Sequence, residues 1–108
     1  MAVNVTYGTW RGMTAPALVV NITRAGVAVD ISNVATTVRL YVGLGQAMGR
    51  IVNGAAMTKT GLPGQVTYSF TAPQTQNVGD WYGQCQVTWP GGTVEATDTF
   101  GVSIQEIV

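Results

Sequence analysis

The sequence predicts an all-β fold, either a β-sandwich or a small barrel, in one domain over residues 1–108. Several segments alternate apolar and polar residues with the period of two that is typical of half-buried strands. Turn-forming residues separate these segments at intervals of about eight to twelve residues, which suits about seven short strands. Gly, Pro and β-branched residues interrupt every helical pattern, so no amphipathic helix of about ten or more residues is expected.

The first strands are expected between residues 17 and 43. The segment 17–32 is predicted to divide at Ala25 and Gly26 into two extended pieces. The apolar positions predicted to point inward are Leu18, Val20 and Ile22 in the first piece, and Val27, Val29 and Ile31 in the second. In the segment 36–43 the inward positions are Val38, Leu40 and Val42, and the outward positions are Thr37, Arg39 and Tyr41.

The segment 43–64 differs from the rest because it is rich in Gly, Ala and Met. It is predicted to be a long connection with one edge strand near residues 50–52. Its methionines, Met48 and Met57, are adaptable apolar groups that suit either a contact surface or a loose loop.

The clearest strand lies between Trp81 and Trp89, after a shorter one at 65–72 that Pro73 ends. One face of it carries Trp81, Gly83, Cys85, Val87 and Trp89, and the other carries Tyr82, Gln84, Gln86 and Thr88. A Pro-Gly-Gly turn at 90–92 then leads into a hairpin partner at 93–104. Its predicted inward positions are Val94, Ala96, Phe100, Val102 and Ile104. Across the whole chain, the central core is predicted to contain Val20, Ile22, Leu40, Phe70, Trp81, Cys85, Val87 and Trp89.

The charge pattern argues against nucleic-acid and membrane partners. Five Lys and Arg balance five Asp and Glu, and these residues are scattered singly rather than gathered into a basic stripe. No apolar run approaches the roughly 20 residues that span a bilayer, and the first residues lack the pattern of a signal peptide. Synthesis in a cytoplasm is therefore expected.

The residue types also argue against catalysis, cofactors and metal binding. The sequence has no histidine and one cysteine, Cys85, so it lacks the commonest general base and metal ligand and cannot form an intrachain disulfide. Cys85 falls on an apolar face and is interpreted as a core residue. Nothing in the spacing of Asp80, Glu95 and Asp98 demands a convergent carboxylate site. Trp10 is left open between core packing and a role in a sugar-binding platform.

Two blocks of the sequence carry a family resemblance. The first is YGTWRGMTAPALVVNI followed by GVAVDIS, and the second, more specific block is residues 64–104. The second block contains, in order, a strand, a Pro-containing connection, a Gly-x-aromatic corner, a central strand, a Pro-Gly hairpin and a final strand. This pattern resembles the immunoglobulin-like domains of tailed phages, typified by the N-terminal domain of baseplate upper proteins. The segment 43–64 departs from the family pattern.

The resemblance implies an immunoglobulin-like antiparallel β-sandwich that serves as a non-enzymatic accessory module of a tailed-phage virion. The expected partners are other virion proteins of the tail or baseplate, contacted in multiple copies. One alternative is a decoration protein on the major capsid protein, and another is an adhesion module for host-surface glycans, for which Tyr82, Gln84 and Gln86 are the candidate cluster. The expected interface residues are Arg11, Met48, Arg50, Met57 and Tyr82.

Overall fold

The computed structural model describes residues 1–5, 7–45 and 49–107. Most of these residues are in strands, which confirms the all-β class. The strands are β1 (Ala2–Asn4), β2 (Tyr7–Trp10), β3 (Leu18–Arg24), β4 (Val27–Ala28), β5 (Thr37–Gly43), β6 (Val52–Ala56), β7 (Thr58–Lys59), β8 (Gln65–Tyr68), β9 (Gly79–Thr88), β10 (Val94–Ala96) and β11 (Phe100–Gln105). A short helix, α1 (Ala72–Thr75), connects β8 to β9 and begins at Thr71 with a capping box that Gln74 completes.

The strands form two sheets. Sheet 1 has the order β1-β3-β8-β7, with β4 also paired to β3. Sheet 2 has the order β2-β11-β9-β5-β6, with β10 also paired to β9. The strand pairs in both sheets are antiparallel except for β2 and β11, which are parallel. The purely antiparallel prediction is wrong at this pair, because β1 lies in sheet 1 while β2, the next element of the chain, lies in sheet 2 beside the last strand.

The hydrophobic core is one cluster to which both sheets contribute. Six of the predicted core residues are at most 2 % exposed: Val20, Ile22, Leu40, Phe70, Cys85 and Val87. Trp81 and Trp89 pack against this cluster but stay partly exposed, so their prediction as central core residues is wrong. Each indole N–H needs a hydrogen-bond acceptor, and here the acceptors lie outside the core cluster, so the rings stay at its edge. The Nε1 of Trp81 donates to the Asn77 carbonyl oxygen and that of Trp89 donates to the Glu95 Oε1, each at 2.9 Å.

The turn at Ala25 and Gly26 explains why one inward position in the first hairpin is wrong. Both residues have positive φ, 52° and 79°, as a two-residue hairpin turn requires. This turn pairs Val27 with Arg24 at the tip of the hairpin, where Val27 is 69 % exposed. Val29 and Ile31, further along the chain, are buried as predicted.

The inward pattern predicted for residues 93–104 changes phase at Thr97. Phe100, Val102 and Ile104 are buried as predicted. Val94 and Ala96 are instead exposed, because β10 pairs them with Thr88 and Gln86 on the outward face of β9. Residues 97–99 lie between β10 and β11 and shift the alternation by one position.

The segment 43–64 contains two strands, β6 and β7, rather than one edge strand near residues 50–52. The chain crosses from sheet 2 to sheet 1 at Met57, whose N–H donates to the Val38 carbonyl oxygen at 2.9 Å. Met57 is only 9 % exposed and belongs to the core cluster, so its prediction as an outward interface residue is wrong. An apolar side chain is needed at this position because it fills space between the two sheets where the chain crosses. Met48 lies outside the described residues.

Candidate functional site

The outward face of sheet 2 brings polar side chains of three neighbouring segments together. On β5 and β9, Arg39 lies directly opposite Gln86, and Tyr41 lies opposite Gln84. The Tyr41 hydroxyl donates to the Gln86 Oε1 at 3.3 Å. Arg50, just before β6, places its guanidinium 4.8 Å from the centre of the Tyr41 ring. We call this group of Arg39, Tyr41, Arg50, Gln84 and Gln86 the Arg–Gln face.

The two arginines are held in position by neutral groups. Arg39 donates from Nη1 to the Gly54 carbonyl oxygen at 2.9 Å, and Arg50 donates from Nη1 to the Asn53 Oδ1 at 2.8 Å. Gly54 has a φ of 78°, and the β5–β6 register shifts beside it between Leu40 and Tyr41. This bulge in an outer strand of sheet 2 therefore supplies the carbonyl that orients Arg39.

An open depression of about 320 Å³ lies on the Arg–Gln face, lined by each of its residues except Arg39. Its lining is mostly polar, from Tyr41, Arg50, Gln84 and Gln86, with Ala96 at one side and buried Cys85 below. The Gln84 side chain is oriented by a hydrogen bond from its Nε2 to the Thr97 carbonyl oxygen, at 2.8 Å. Arg50 is the charged residue of this lining, so the depression offers a cation with amide and hydroxyl groups beside it.

The two arginines of the Arg–Gln face have no acidic partner among the described residues. Among the described residues the salt bridges are Arg11 with Glu106, at 3.0 Å, and Arg24 with Glu95. Neither Arg39 nor Arg50 takes part in one of these pairs. Asp80 shares the outward side of β9 but stands four residues before Gln84, about 13 Å along an extended strand. At that separation an exposed carboxylate is largely screened from the group around Gln84.

The expected interface residues fall in different places. Arg50 belongs to the Arg–Gln face, and Tyr82, which is 59 % exposed, lies beside it on the outward side of β9. Arg11 lies elsewhere, where it is bonded to Gln76 and Glu106. Arg39 and Tyr41 were not among the expected residues, although the alternation of 36–43 already placed both outward. The missing information was the β5–β9 register, which decides that they lie opposite Gln86 and Gln84.

The remaining chemical candidates among the described residues lie in different environments. Burial raises the pKa of the Cys85 thiol to about 12, and its Sγ lies 3.6 Å from the Met57 Sδ inside the core. The Glu95 carboxylate accepts hydrogen bonds from Arg24 and Trp89. Trp10 is an exposed residue of β2. Within the described ranges, no three Asp, Glu, Cys or His residues come together as metal ligands would.

The described part of the chain contains no helix with the length and apolar character needed to cross a bilayer. No family model matches the sequence, and no curated protein matches it either. Any functional proposal therefore rests on the strand order, the Arg–Gln face and the resemblance of residues 64–104.

Proposed function

We propose that this chain is an immunoglobulin-like contact module of a tailed-phage virion, without enzymatic activity, that joins protein neighbours on the tail or baseplate. The observation that carries the contact role is the Arg–Gln face, an oriented polar surface beside the exposed side chain of Tyr82. Arginine and tyrosine are enriched in protein interfaces because each combines polar groups with a large contact area.

The strand order supports the immunoglobulin-like part of the proposal. In an immunoglobulin domain the strands named A, B, E and D form one sheet, and G, F and C form the other, with C′ added in variable-type domains. The order β1-β3-β8-β7 corresponds to A-B-E-D, and the order β11-β9-β5-β6 corresponds to G-F-C-C′. The strand β2, beside β11, then corresponds to a first strand that is divided between the two sheets.

The phage part of the proposal is supported by the resemblance of residues 64–104. This block comprises β8, α1, β9, β10 and β11 together with their connections. Its sequence features correspond to these elements in order: the Pro-containing connection to α1, the aromatic corner to the start of β9 and the Pro-Gly hairpin to the turn before β10. The low proportion of charged residues, 9 %, also suits a surface that is covered by neighbouring subunits.

The experiment that tests this role is cryo-electron microscopy of the parent phage particle. Density for the domain on the tail or baseplate is the expected result. Density on the head shell would replace the tail role with the alternative of capsid decoration. Absence from the purified particle, checked by mass spectrometry of its proteins, would overturn the structural role in either place.

A second candidate is adhesion to host-surface glycans, which the position of Tyr82, Gln84 and Gln86 on one outward face favours. Aromatic rings and amides on an open face are the groups that hold sugar rings and hydroxyls. A glycan array with the purified chain separates the two candidates. Saturable binding that a free sugar competes away would favour adhesion, and no binding would favour a purely structural module.

A further inference from the structure

We propose that the Arg–Gln face recognises carboxylate side chains of an acidic segment on a neighbouring protein. This inference rests on the proposed contact function and names the chemistry of the partner. The observation behind it is that Arg39 and Arg50 project on one face without an acidic partner among the described residues, next to the amides of Gln84 and Gln86.

The balanced charge of the chain conceals an uneven distribution. Two cations, Arg11 and Arg24, are matched by Glu106 and Glu95. Lys59 lies in sheet 1, where its Nζ donates to the Asn33 carbonyl oxygen at 2.7 Å. The other two cations are Arg39 and Arg50, which both flank β6. A net charge of zero is therefore compatible with a local positive surface that attracts an acidic partner.

The bonding capacity of the two guanidinium groups suits carboxylates. A guanidinium carries five N–H donors in a planar fork that matches a carboxylate with two parallel hydrogen bonds. Each arginine here uses Nη1 for one neutral acceptor, Gly54 or Asn53, which orients the group and leaves further N–H donors for a ligand. The Tyr41 ring under Arg50 restrains it further, so less conformational entropy is lost on binding.

The same geometry disfavours two other modes of contact. A partner strand that paired with β6 would meet the bulge at Gly54 and two arginines, features that protect sheet edges from strand addition. Nucleic acid would need a track of several cations, whereas this face has two. A depression of about 320 Å³ with the Arg50 guanidinium in its lining suits a small number of acidic side chains.

The direct test is a nuclear magnetic resonance titration of the full chain with a capped hexaglutamate peptide. We expect saturable shifts of the amide signals of Arg39, Tyr41, Asn53, Gln84 and Gln86, with small shifts around Arg11. The affinity should fall as salt is added, and capped hexaglutamine should not bind. Shifts that centre on another surface, or equal binding of hexaglutamine, would overturn the inference.

Variants separate this face from the general charge of the protein. The double variant Arg39→Gln/Arg50→Gln should weaken hexaglutamate binding by about tenfold or more. The matched control, Arg11→Gln/Lys59→Gln, removes two positive charges elsewhere and should stay within about twofold of the wild type. Equal losses in the two double variants would overturn the assignment to this face.

A third variant, Gln86→Glu, tests the same point without removing an arginine. It places a carboxylate directly opposite Arg39 and should compete with the peptide for that guanidinium. Reduced hexaglutamate binding with a retained fold is expected, and unchanged binding would contradict the inference. A capped oligogalacturonate that bound this face more tightly than hexaglutamate would overturn the choice of a protein partner.

Particle assembly keeps this inference separate from the proposed function. If Arg39→Gln/Arg50→Gln enters the particle as well as the wild type and hexaglutamate does not bind, the carboxylate inference fails while the contact role stands. If the wild-type chain is absent from the particle, the virion role fails whatever the peptide titration shows.

Discussion

At the scale of single residues, Gly83 illustrates how tightly the side chains on the inward face of sheet 2 are packed. It lies opposite Phe100 on β11, and a Cβ atom at this position would come within 2.6 Å of the Phe100 Cζ. The ring is buried and has little room to move. We expect Gly83→Ala to lower the free energy of unfolding by about 1–3 kcal/mol, measured by urea denaturation.

The matched control for this prediction is Gly101→Ala on β11. A Cβ there meets nothing within 4 Å, and the residue is exposed. Its stability should change by no more than about 0.5 kcal/mol. If both variants lost the same stability, a general cost of alanine in these strands, rather than overlap with Phe100, would be the cause.

Cys85 allows a second test at the residue scale. Burial raises the pKa of its thiol to about 12, which leaves almost no thiolate at neutral pH and no path for a reagent. We expect Ellman's reagent at about pH 8 to label the unfolded protein fully in urea and the native protein only at the rate of unfolding. Cys85 is the only cysteine, so the signal has one source. Rapid labelling of the native protein would contradict its position in the core.

At the scale of elements, β9 organises sheet 2 because it has partners along both edges. It pairs with β5 on one side and with β10 and then β11 on the other. Between β10 and β11, Thr97 makes the hydrogen bonds to β9 that a regular strand residue would make. Its N–H donates to the Cys85 carbonyl oxygen at 2.9 Å, and its Oγ1 accepts from the Cys85 N–H at 3.0 Å. The irregularity therefore keeps its hydrogen bonds and turns Ala96 toward the Arg–Gln face.

Glu95 links the β3–β4 hairpin to the β9–β10 hairpin through hydrogen bonds. Its carboxylate accepts hydrogen bonds from Arg24 and from the Trp89 indole, and the bond from Arg24 is the main reason that the pKa of Glu95 lies below its ordinary value of 4.5. Because the folded pKa is the lower one, this contribution to stability is complete above about pH 4.5 and is lost as the pH falls through the folded pKa.

We therefore expect Glu95→Gln to lower the stability at neutral pH. Below pH 4.5 the stability of this variant should decrease less steeply with falling pH than that of the wild type, as measured by thermal denaturation across a pH series. The control is Glu106→Gln, which removes the same charge from the exposed pair with Arg11. The acid dependence of the Glu106→Gln variant should stay closer to that of the wild type. Identical profiles for the two variants would show that the Glu95 contacts contribute nothing specific.

At the scale of the whole molecule, Met57 links the two sheets. The chain crosses between them at this residue, and its side chain packs in the shared core beside Cys85. We expect Met57→Ala to cost about 2–4 kcal/mol and to destabilise both sheets equally. Tryptophan fluorescence reports on sheet 2, and hydrogen exchange at the amides of Val20 and Ile22 reports on sheet 1.

The control is Met13→Ala, at an exposed methionine, which should change the stability by no more than about 0.5 kcal/mol. A Met57→Ala protein in which the two probes report different losses would contradict a single cooperative core. Equal losses would support it, because one cluster that both sheets share cannot open in one sheet alone.

The class of fold and most of the strand faces follow from the residues of each segment alone. The alternation correctly gave the buried positions of 36–43, and also Gly83, Cys85 and Val87 in 81–89, since burial of one face is a local property that each strand displays in its own residues. The tip position Val27, the exposed Val94 and the partly exposed Trp81 and Trp89 could not be read in this way. The exposure of Val27 depends on the hairpin turn, and that of Val94 depends on its pairing with the outward face of β9. The two tryptophans turn their indole N–H groups to acceptors outside the core cluster.

How the segments meet became apparent only in the folded chain. Residues 43–64 looked like a loose connection because their Gly and Met content hides the alternation, yet they form two strands that cross the sheets at Met57. Arg39 and Tyr41 were already outward in the sequence pattern, but the register of β5 and β9 brings them to Gln86 and Gln84. Register and sheet order follow from contacts between distant segments, so a surface built across three segments has no signature in any one of them.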